Sequence, residues 1–219
     1  MDISFLLPTV RNWPKYGQRV VDSIQRMDSP KNFRYEILVS SFIPVEGPDI
    51  VWVEDKVKLG ALHAFNELAC YAKGDYLVCL VDDHTIEGKM DAITQSGLDI
   101  ASIPSGGRCP IPNHPPFFTG HIAADLLYQW TTVRFPVVKR QTWRERLGSH
   151  IFHPGFLNSH ADIYLGVWMG INGEPCQELD GIRLREFEHI HNASRESDLH
   201  DEAVCVRLMN TIVKGHSYV

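Results

Sequence analysis

The sequence predicts an open α/β sheet flanked by helices. The first part of the chain alternates short apolar runs with segments whose apolar residues recur at helical spacing. One run, residues 76–81, is apolar without interruption, which is typical of a central strand covered on both faces. Because strands alternate with helices, we expect right-handed crossovers and a single mixed, mostly parallel sheet.

The first half supplies four predicted strands and two predicted helices. Strands are expected at 3–7, where Pro8 follows, and at 35–39, 50–53 and 76–81. The first helix follows Asn12, a candidate cap, and its apolar residues are Trp13, Tyr16, Val20, Val21, Ile24 and Met27. The second helix is predicted to end at Gly74, and its face is Leu62, Phe65, Leu68, Ala69 and Ala72.

The second half is less regular. A strand is predicted at 134–138, a short helix at 141–147 and a final helix at about 197–213. The segment 162–171 is apolar nearly all round, which predicts a largely buried helix. Residues 105–118 are rich in Pro and Gly, and this pattern fits either a loop at a site or a plain surface loop.

Composition indicates a single globular domain over residues 1–219. The chain has 219 residues, of which 44% are hydrophobic and 22% charged, enough for one buried core. The net charge of −6 and the lack of a Lys or Arg run argue against a nucleic-acid partner. They leave open an anionic ligand held by backbone amides and a cation.

Five scattered cysteines without a CxxC pair predict a reducing compartment. No window of about 18 apolar residues and no signal-peptide pattern is visible, so we expect no integral membrane segment and a cytoplasmic location.

The candidate chemistry begins at the end of the predicted central strand, in the sequence Val81-Asp-Asp-His84. Open α/β sheets bind ligands at the carboxyl ends of their strands. Two adjacent carboxylates repel each other, and a divalent cation offsets that repulsion. Asp83 with diphosphate oxygens would suit Mg²⁺ or Mn²⁺, which prefer hard oxygen ligands. The alternative is a solvated pair of turn aspartates.

Several segments in chain order resemble the family 2 glycosyltransferases. They are Ile3-Ser-Phe-Leu-Leu-Pro-Thr-Val-Arg-Asn12, Gly60-Ala-Leu-His-Ala-Phe-Asn66, Ala72-Lys-Gly-Asp-Tyr76, Asp82-Asp83, and Ala161-Asp-Ile-Tyr-Leu165 with Gly173. They correspond to the family's P-T-Y-N-R, G-x-x-x-A-x-N, A-x-G-D-Y, D-x-D and E-D-x-D-L elements. The resemblance covers roughly residues 3–173.

The resemblance implies a GT-A fold and transfer of a sugar from a nucleotide-diphospho-sugar donor to an acceptor hydroxyl. It implies a nucleotide-binding half at about 1–104 and an acceptor-binding half at about 105–219. Thr9 and Arg11 would lie beside the nucleoside, and Asp82 would face the ribose or sugar. Asp83 would hold Mn²⁺ or Mg²⁺ on the diphosphate, and Asp162 would be the general base of an inverting displacement.

The same resemblance suggests further site residues. Those assigned to nucleotide-sugar binding are Pro8, Ser40, Lys58, Gly60 and Asn66. His84, His189 and His191 are candidate additional metal ligands, although a surface pair of histidines also explains the last two. Lys58 can offset phosphate charge or be a solvated surface residue.

This chain departs from the family pattern at several positions. Ser40-Ser41 stands where the family has Asp-Asp, so a base-reading carboxylate is missing and the nucleotide stays open. His84 replaces the third D of D-x-D. Ala161 and Tyr164 replace acidic residues around Asp162, which is left as the candidate base; its alternative role is that of helix N-cap.

Three other functions are alternatives to the transferase. A nucleotidyltransferase would carry a Gly-rich loop after the first strand, and Pro8-Thr-Val-Arg-Asn12 has no Gly. A non-catalytic nucleotide-sugar-binding module of the same fold is compatible with the departures. A Rossmann dehydrogenase is disfavoured because no G-x-G-x-x-G follows a strand.

Overall fold

A computed structural model gives the fold of the chain. It describes residues 1–9, 13–56, 59–105, 133–157, 159–174, 177–187 and 195–212. Among these residues no helix has the length and apolar content needed to cross a membrane.

A six-stranded mixed sheet forms the centre of the fold, and a two-stranded antiparallel sheet packs beside it. The strands in chain order are β1 (Ile3–Pro8), β2 (Tyr35–Ser41), β3 (Ile50–Glu54), β4 (Tyr76–Cys79), β5 (His84–Gly88), β6 (Ile100–Ser102), β7 (Pro136–Lys139) and β8 (Ile182–Glu186). The large sheet has the order β3-β2-β1-β4-β7-β6, and β5 pairs with β8. Strands β3, β2, β1 and β4 are parallel, whereas β7 is antiparallel to β4 and to β6. The predicted fold class, a single mixed and mostly parallel sheet flanked by helices, is confirmed.

The helices are α1 (Gly17–Gln25), α2 (Ala61–Tyr71), α3 (Asp91–Gln95), α4 (Arg140–Glu145), α5 (Ala161–Ile171) and α6 (Arg195–Ile212). Helix α5 is buried nearly all round, as its apolar sequence predicts, because it lies between the sheet and α6. Helix α1 is amphipathic and buries Val20, Val21 and Ile24 on one stripe.

The core has two layers, one on each face of the large sheet. Successive residues of a strand point to opposite faces, so Leu6 joins one layer while Phe5 and Leu7 join the other. The first layer contains apolar residues of α2, α4, α5 and α6, and the second contains those of α1, β5 and β8. Burying each Leu or Phe side chain stabilises the fold by about 1.5–3 kcal/mol. The two layers together therefore hold the large sheet in place.

The end of α2 differs from its prediction. The helix ends at Tyr71, and Ala72 is already extended, so Gly74 does not cap it. Gly74 instead lies against β1: a Cβ on it would be 2.4 Å from the backbone nitrogen of Ser4. The glycine is needed for close backbone approach at the entry to β4.

Other element boundaries also shift. The strand predicted at 76–81 is β4, which ends at Cys79. The strand predicted at 134–138 is β7, which begins two residues later than predicted, at Pro136. Strands β5, β6 and β8 were not predicted. For β8 the alternation in Ile182-Arg-Leu-Arg-Glu186 is a period-two pattern that indicates a strand.

Candidate active site

The order of the strands places a crevice between β1 and β4. The chain runs from β1 outward through β2 to β3, and β4 then returns to the other side of β1. Such a switch in direction leaves a ligand-binding crevice at the carboxyl ends of the two central strands. Thr9 follows β1 at this edge, and Asp82 and Asp83 follow β4.

Thr9 and Asp82 are hydrogen-bonded across this crevice. The Thr9 hydroxyl donates to Oδ2 of Asp82 at 2.7 Å, and both side chains are buried. The Thr9 amide donates to the Ser40 carbonyl at 2.9 Å, which attaches the same loop to β2. The structure therefore brings together three predicted site residues, Thr9, Ser40 and Asp82, from three different strand ends.

Asp83 and His84 form a close pair beside them. Nδ1 of His84 lies 2.6 Å from Oδ1 of Asp83. The backbone of Asp83 is also held, because its carbonyl accepts a hydrogen bond of 3.0 Å from the Phe187 amide just after β8. The His84 ring packs against Phe135, with ring centroids 4.8 Å apart. Contacts on both side chain and backbone thus fix the orientation of the Asp83 carboxylate.

The donor chemistry of this pair fits a divalent cation with few protein ligands. A carboxylate oxygen of Asp83 is the hard ligand that Mg²⁺ and Mn²⁺ prefer, and Nε2 of His84 is the ring nitrogen not in contact with Asp83. Within the residues that the structure describes, no group of three His, Cys, Asp or Glu side chains is arranged to hold a metal ion. A cation at Asp83 would therefore need further ligands, either from a bound molecule or from residues outside the described ranges.

The two serines after β2 differ in their contacts. Ser41 is satisfied, since its hydroxyl donates to the Ile43 carbonyl at 2.7 Å and Trp52 Nε1 lies 3.1 Å from it. The Ser40 hydroxyl is buried and has no hydrogen-bond partner among the described residues. A buried polar group without a partner is costly, so this hydroxyl is suited to a polar group of a bound ligand.

Pro8, Gly60 and Asn66 occupy different parts of the site region. Pro8 is the buried last residue of β1, and Gly60 has φ of 96° immediately before α2, a conformation that favours glycine. Asn66 uses its amide elsewhere: it donates to the Phe152 carbonyl at 2.7 Å and accepts from the Phe152 amide at 3.1 Å. These bonds attach α2 to the loop before α5, and a role for Asn66 in ligand binding stays a prediction.

Asp162 lies in the first turn of α5. The N-cap of this helix is His160, with φ of 61° and no side-chain capping bond, so the alternative role of Asp162 as N-cap is wrong. Oδ1 of Asp162 accepts the Ile163 amide at 2.9 Å. Burial raises the pKa of the Asp162 carboxyl, against the opposing effects of that hydrogen bond and of nearby Arg134 and His160. A raised pKa makes this carboxylate a stronger base than an exposed aspartate.

The loop that leads into α5 is held by a residue that sequence reasoning missed. Asp201 of α6 has no exposed surface, and its two carboxylate oxygens accept the amides of Leu157 at 2.8 Å and Ser159 at 2.7 Å. The Ser159 hydroxyl lies 2.8 Å from Nδ1 of His160. An acidic residue within an amphipathic helix gives no sequence pattern for this long-range contact.

Replacing Asp201 by Asn should destabilise the protein. The neutral amide presents an NH₂ group to one of the two backbone amides, which is then left buried without an acceptor. We expect a loss of about 1–3 kcal/mol in the free energy of unfolding, measured by urea denaturation. Asp198→Asn is the matched control, because among the described residues of this loop Asp198 accepts a hydrogen bond from the Ser159 hydroxyl, at 3.2 Å, and none from a backbone amide. Equal stability of the two variants would contradict the assignment.

Four predicted site residues lie outside the described residues: Arg11, Lys58, His189 and His191. Their roles stay predictions, as does the division of the chain into a nucleotide-binding and an acceptor-binding half.

The mixed, mostly parallel six-stranded sheet flanked by helices is consistent with a GT-A fold. Comparison with solved structures agrees. S. aureus TarS 1–349 in complex with UDP superposes with a TM-score of 0.66 and 15% identity, over 98% of this chain and 66% of that one. The complex of the same protein with UDP-GlcNAc gives the same TM-score and identity, over 98% and 67%.

A second protein shares the fold. The mannosyltransferase PcManGT from Pyrobaculum calidifontis, in complex with GDP-Man and Mn²⁺, gives a TM-score of 0.60 at 16% identity, over 98% of this chain and 65% of that one. The chain thus spans about two thirds of the length of these structures. No protein-family profile and no curated protein sequence matches the chain. At this identity the comparisons establish the fold, and the activity has to be argued from the site.

Proposed function

We propose that the protein transfers a sugar from a nucleotide-diphospho-sugar donor to an acceptor hydroxyl, with a divalent cation and with inversion at the sugar carbon. The observation that carries this proposal is the pair Asp82 and Asp83 at the switch point, with Asp82 bonded to Thr9 and Asp83 oriented by His84. The likeness to structures that hold UDP-GlcNAc, or GDP-Man with Mn²⁺, supports a nucleotide-sugar donor.

Different residues around the crevice would contact different parts of the donor. Thr9 and Ser40 lie at the ends of β1 and β2, where they can contact the nucleoside, and the Ser40 hydroxyl has no hydrogen-bond partner among the described residues. Arg11 follows Thr9 two positions later in the sequence. Asp82, which is buried and bonded to Thr9, would accept a hydrogen bond from a ribose or sugar hydroxyl. We also assign Pro8, Lys58 and Gly60 to this nucleotide-binding half, residues 1–104.

Asp83 and His84, with His189 and His191 as candidate additional ligands, would hold Mn²⁺ or Mg²⁺ against the diphosphate. A bound cation supplies Lewis-acid stabilisation of the charge that develops on the leaving diphosphate. The protein contributes orientation, because the Asp83 side chain is fixed by His84 and its carbonyl by the Phe187 amide. A pre-oriented ligand reduces the ordering that donor binding would otherwise require.

Asp162 is the proposed general base, in the half formed by residues 105–219. An acceptor hydroxyl attacks the sugar from the face opposite the diphosphate, and its proton passes to a carboxylate within hydrogen-bond reach. Asp162 suits this role because burial raises the pKa of its carboxyl, and because Asp201 fixes the loop that precedes its helix. One displacement from that face inverts the configuration of the sugar carbon.

Donor turnover tests the proposal. With UDP-GlcNAc and GDP-Man as donors, we expect release of nucleoside diphosphate in Mn²⁺ from at least one of them, and loss of that release in EDTA. Water serves as the acceptor, so the unknown natural acceptor is not needed. Nucleotide binding in Mn²⁺ by calorimetry, without release from either donor, would contradict catalysis and favour a binding module of the same fold. Conversion of the donor and added pyrophosphate to nucleoside triphosphate and sugar 1-phosphate instead would indicate a nucleotidyltransferase.

A further inference from the structure

A cluster of arginines lies away from the proposed donor site, on the outer face of the hairpin β5–β8. Arg183 and Arg185 project from β8 on the exposed face, because Ile182 and Leu184 alternate with them and are buried. Both side chains are 60% exposed and both bond to Oε1 of Glu87, with 2.8 Å for Nε of Arg185. Two guanidinium groups thus share one carboxylate.

Helix α1 adds two more arginines to the same face. Arg19 and Arg26 are exposed and line a concave cavity of about 320 Å³, whose other wall includes Thr85, Glu87 and Gly88 of β5. The guanidinium of Arg19 stacks on the Phe187 ring at 4.0 Å, which fixes its plane and leaves its edge N–H groups free to donate to a ligand. Within the described ranges neither Arg19 nor Arg26 lies within ion-pair distance of a carboxylate.

This surface, which we call the arginine groove, is formed by Arg19, Arg26, Arg183 and Arg185. It carries four cations and two carboxylates, Glu87, which lines both this cavity and a second one, and Asp180, which lines the second, in a chain whose net charge is −6. The nearest acidic residue on α1, Asp22, accepts a hydrogen bond from Gln18 at 2.8 Å. The second cavity, of about 680 Å³, shares Glu87 and Gly88 with the first, and it extends the concave surface past Arg183.

The arginine groove is distinct from the crevice between β1 and β4. Glu87 is four residues beyond Asp83, about 13 Å along an extended strand, and neither cavity is lined by Thr9, Asp82 or Asp83. We propose that the groove binds a soluble ligand that carries at least two phosphate groups. The proposal goes beyond the proposed transfer reaction and does not depend on it.

Shape and chemistry select this ligand class. Guanidinium groups present parallel N–H donors that match two oxygens of a phosphate, and charge-assisted bonds of this kind are the strong ones. Arg19 and Arg26 line the first cavity, Arg183 lines the second, and Arg185 is bonded to Glu87, which lines both. These four arginines outnumber the carboxylates of Glu87 and Asp180 by two, so a single monoanion does not neutralise the surface. The surface is concave, whereas a bilayer presents a broad face of headgroups that a groove cannot follow.

Calorimetry with sodium tripolyphosphate, in metal-free buffer at low salt, tests the proposal. We expect wild type to bind one tripolyphosphate and the Arg26→Ala/Arg185→Ala variant to bind at least about tenfold more weakly, because each change removes a charge-assisted hydrogen bond. Arg34→Ala/Arg144→Ala is the matched control: both residues are exposed, neither lines the groove, and the same total charge is removed. It should bind as wild type does. Thermal melts confirm that all variants are folded, and Arg26→Glu provides a second test if the double variant is not.

Two further measurements distinguish the arginine groove from the donor site, and a soluble polyphosphate from a membrane surface, as the place and partner of binding. Arg11→Ala/Lys58→Ala removes the two cationic side chains assigned to the donor site, and it should bind tripolyphosphate as wild type does because the groove is separate from that site; loss of binding in this variant would overturn the separation. Absence of binding to wild type, or equal weakening in both double variants, would overturn the proposal. Sedimentation with phosphatidylserine vesicles without tripolyphosphate binding would also overturn it, and would make this face a membrane contact.

Discussion

Replacing Asp162 by Asn should abolish turnover while the protein stays folded and binds its donor. A neutral amide cannot take the proton of an attacking hydroxyl, so we expect kcat to fall by about 10²–10⁴-fold, the usual contribution of a positioned general base. The Asn side-chain carbonyl can still accept the Ile163 amide, so the melting temperature should be close to that of wild type. Steady-state release of nucleoside diphosphate in Mn²⁺ measures the change.

Asp91→Asn is the matched control for this experiment. Asp91 is also an aspartate in the first turn of a helix, α3, and it lies outside the proposed site. Its variant should keep wild-type kcat and stability. If Asp162→Asn turns over at the wild-type rate, Asp162 is a structural residue of α5 and the base has to be sought among other residues.

The pH dependence of wild type gives an independent test of the same residue. Because burial raises the pKa of the Asp162 carboxyl, the base becomes protonated at a higher pH than an exposed aspartate would. The rate should therefore fall as the pH is lowered through that raised pKa, and the acidic limb should be absent from the residual activity of Asp162→Asn. An acidic limb that persists in the variant belongs to another group.

The fold could be predicted where local pattern and tertiary context agree. Strands β1 to β4 and helices α1 and α2 follow from apolar runs, helical spacing and Pro or Gly punctuation. The carboxyl end of β4 could also be located, because a buried strand that ends in two aspartates brings charge to the edge of the sheet. Parallel strands carry their ends to one edge, so the proximity of Thr9 and Asp82 follows from topology.

The remainder depends on contacts between residues far apart in sequence. Strand β5 begins immediately after Asp83, where its first residues resemble a turn, and it exists because β8 pairs with it from almost 100 residues away. In the sequence, Asp201 resembles any charged residue of a helix. Its structural role depends on the distant loop whose Leu157 and Ser159 amides donate to its carboxylate. Gly74 resembles a helix stop, whereas its function is to let β1 approach. The residues next to each of these positions in the sequence do not reveal which distant segment it contacts.

Replacing Asp83 by Ala should remove the metal dependence of nucleotide binding. Loss of even an outer-shell partner weakens metal binding by roughly 10–100-fold, so loss of the ligand carboxylate should weaken binding of UDP or GDP in Mn²⁺ by at least about tenfold. In EDTA the variant and wild type should bind equally weakly, because the carboxylate acts only through the cation. Calorimetry in the two buffers gives both comparisons.

Asp75→Ala is the matched control, since Asp75 is exposed and precedes β4 at the end of the strand opposite to Asp83. It should retain wild-type binding in Mn²⁺. Equal affinity of Asp83→Ala and wild type in Mn²⁺ would show that Asp83 holds no cation. In that case the pair of His84 with Asp83 would be a structural contact at the start of β5, and charge on the diphosphate would have to be neutralised by side chains such as Lys58 or Arg11.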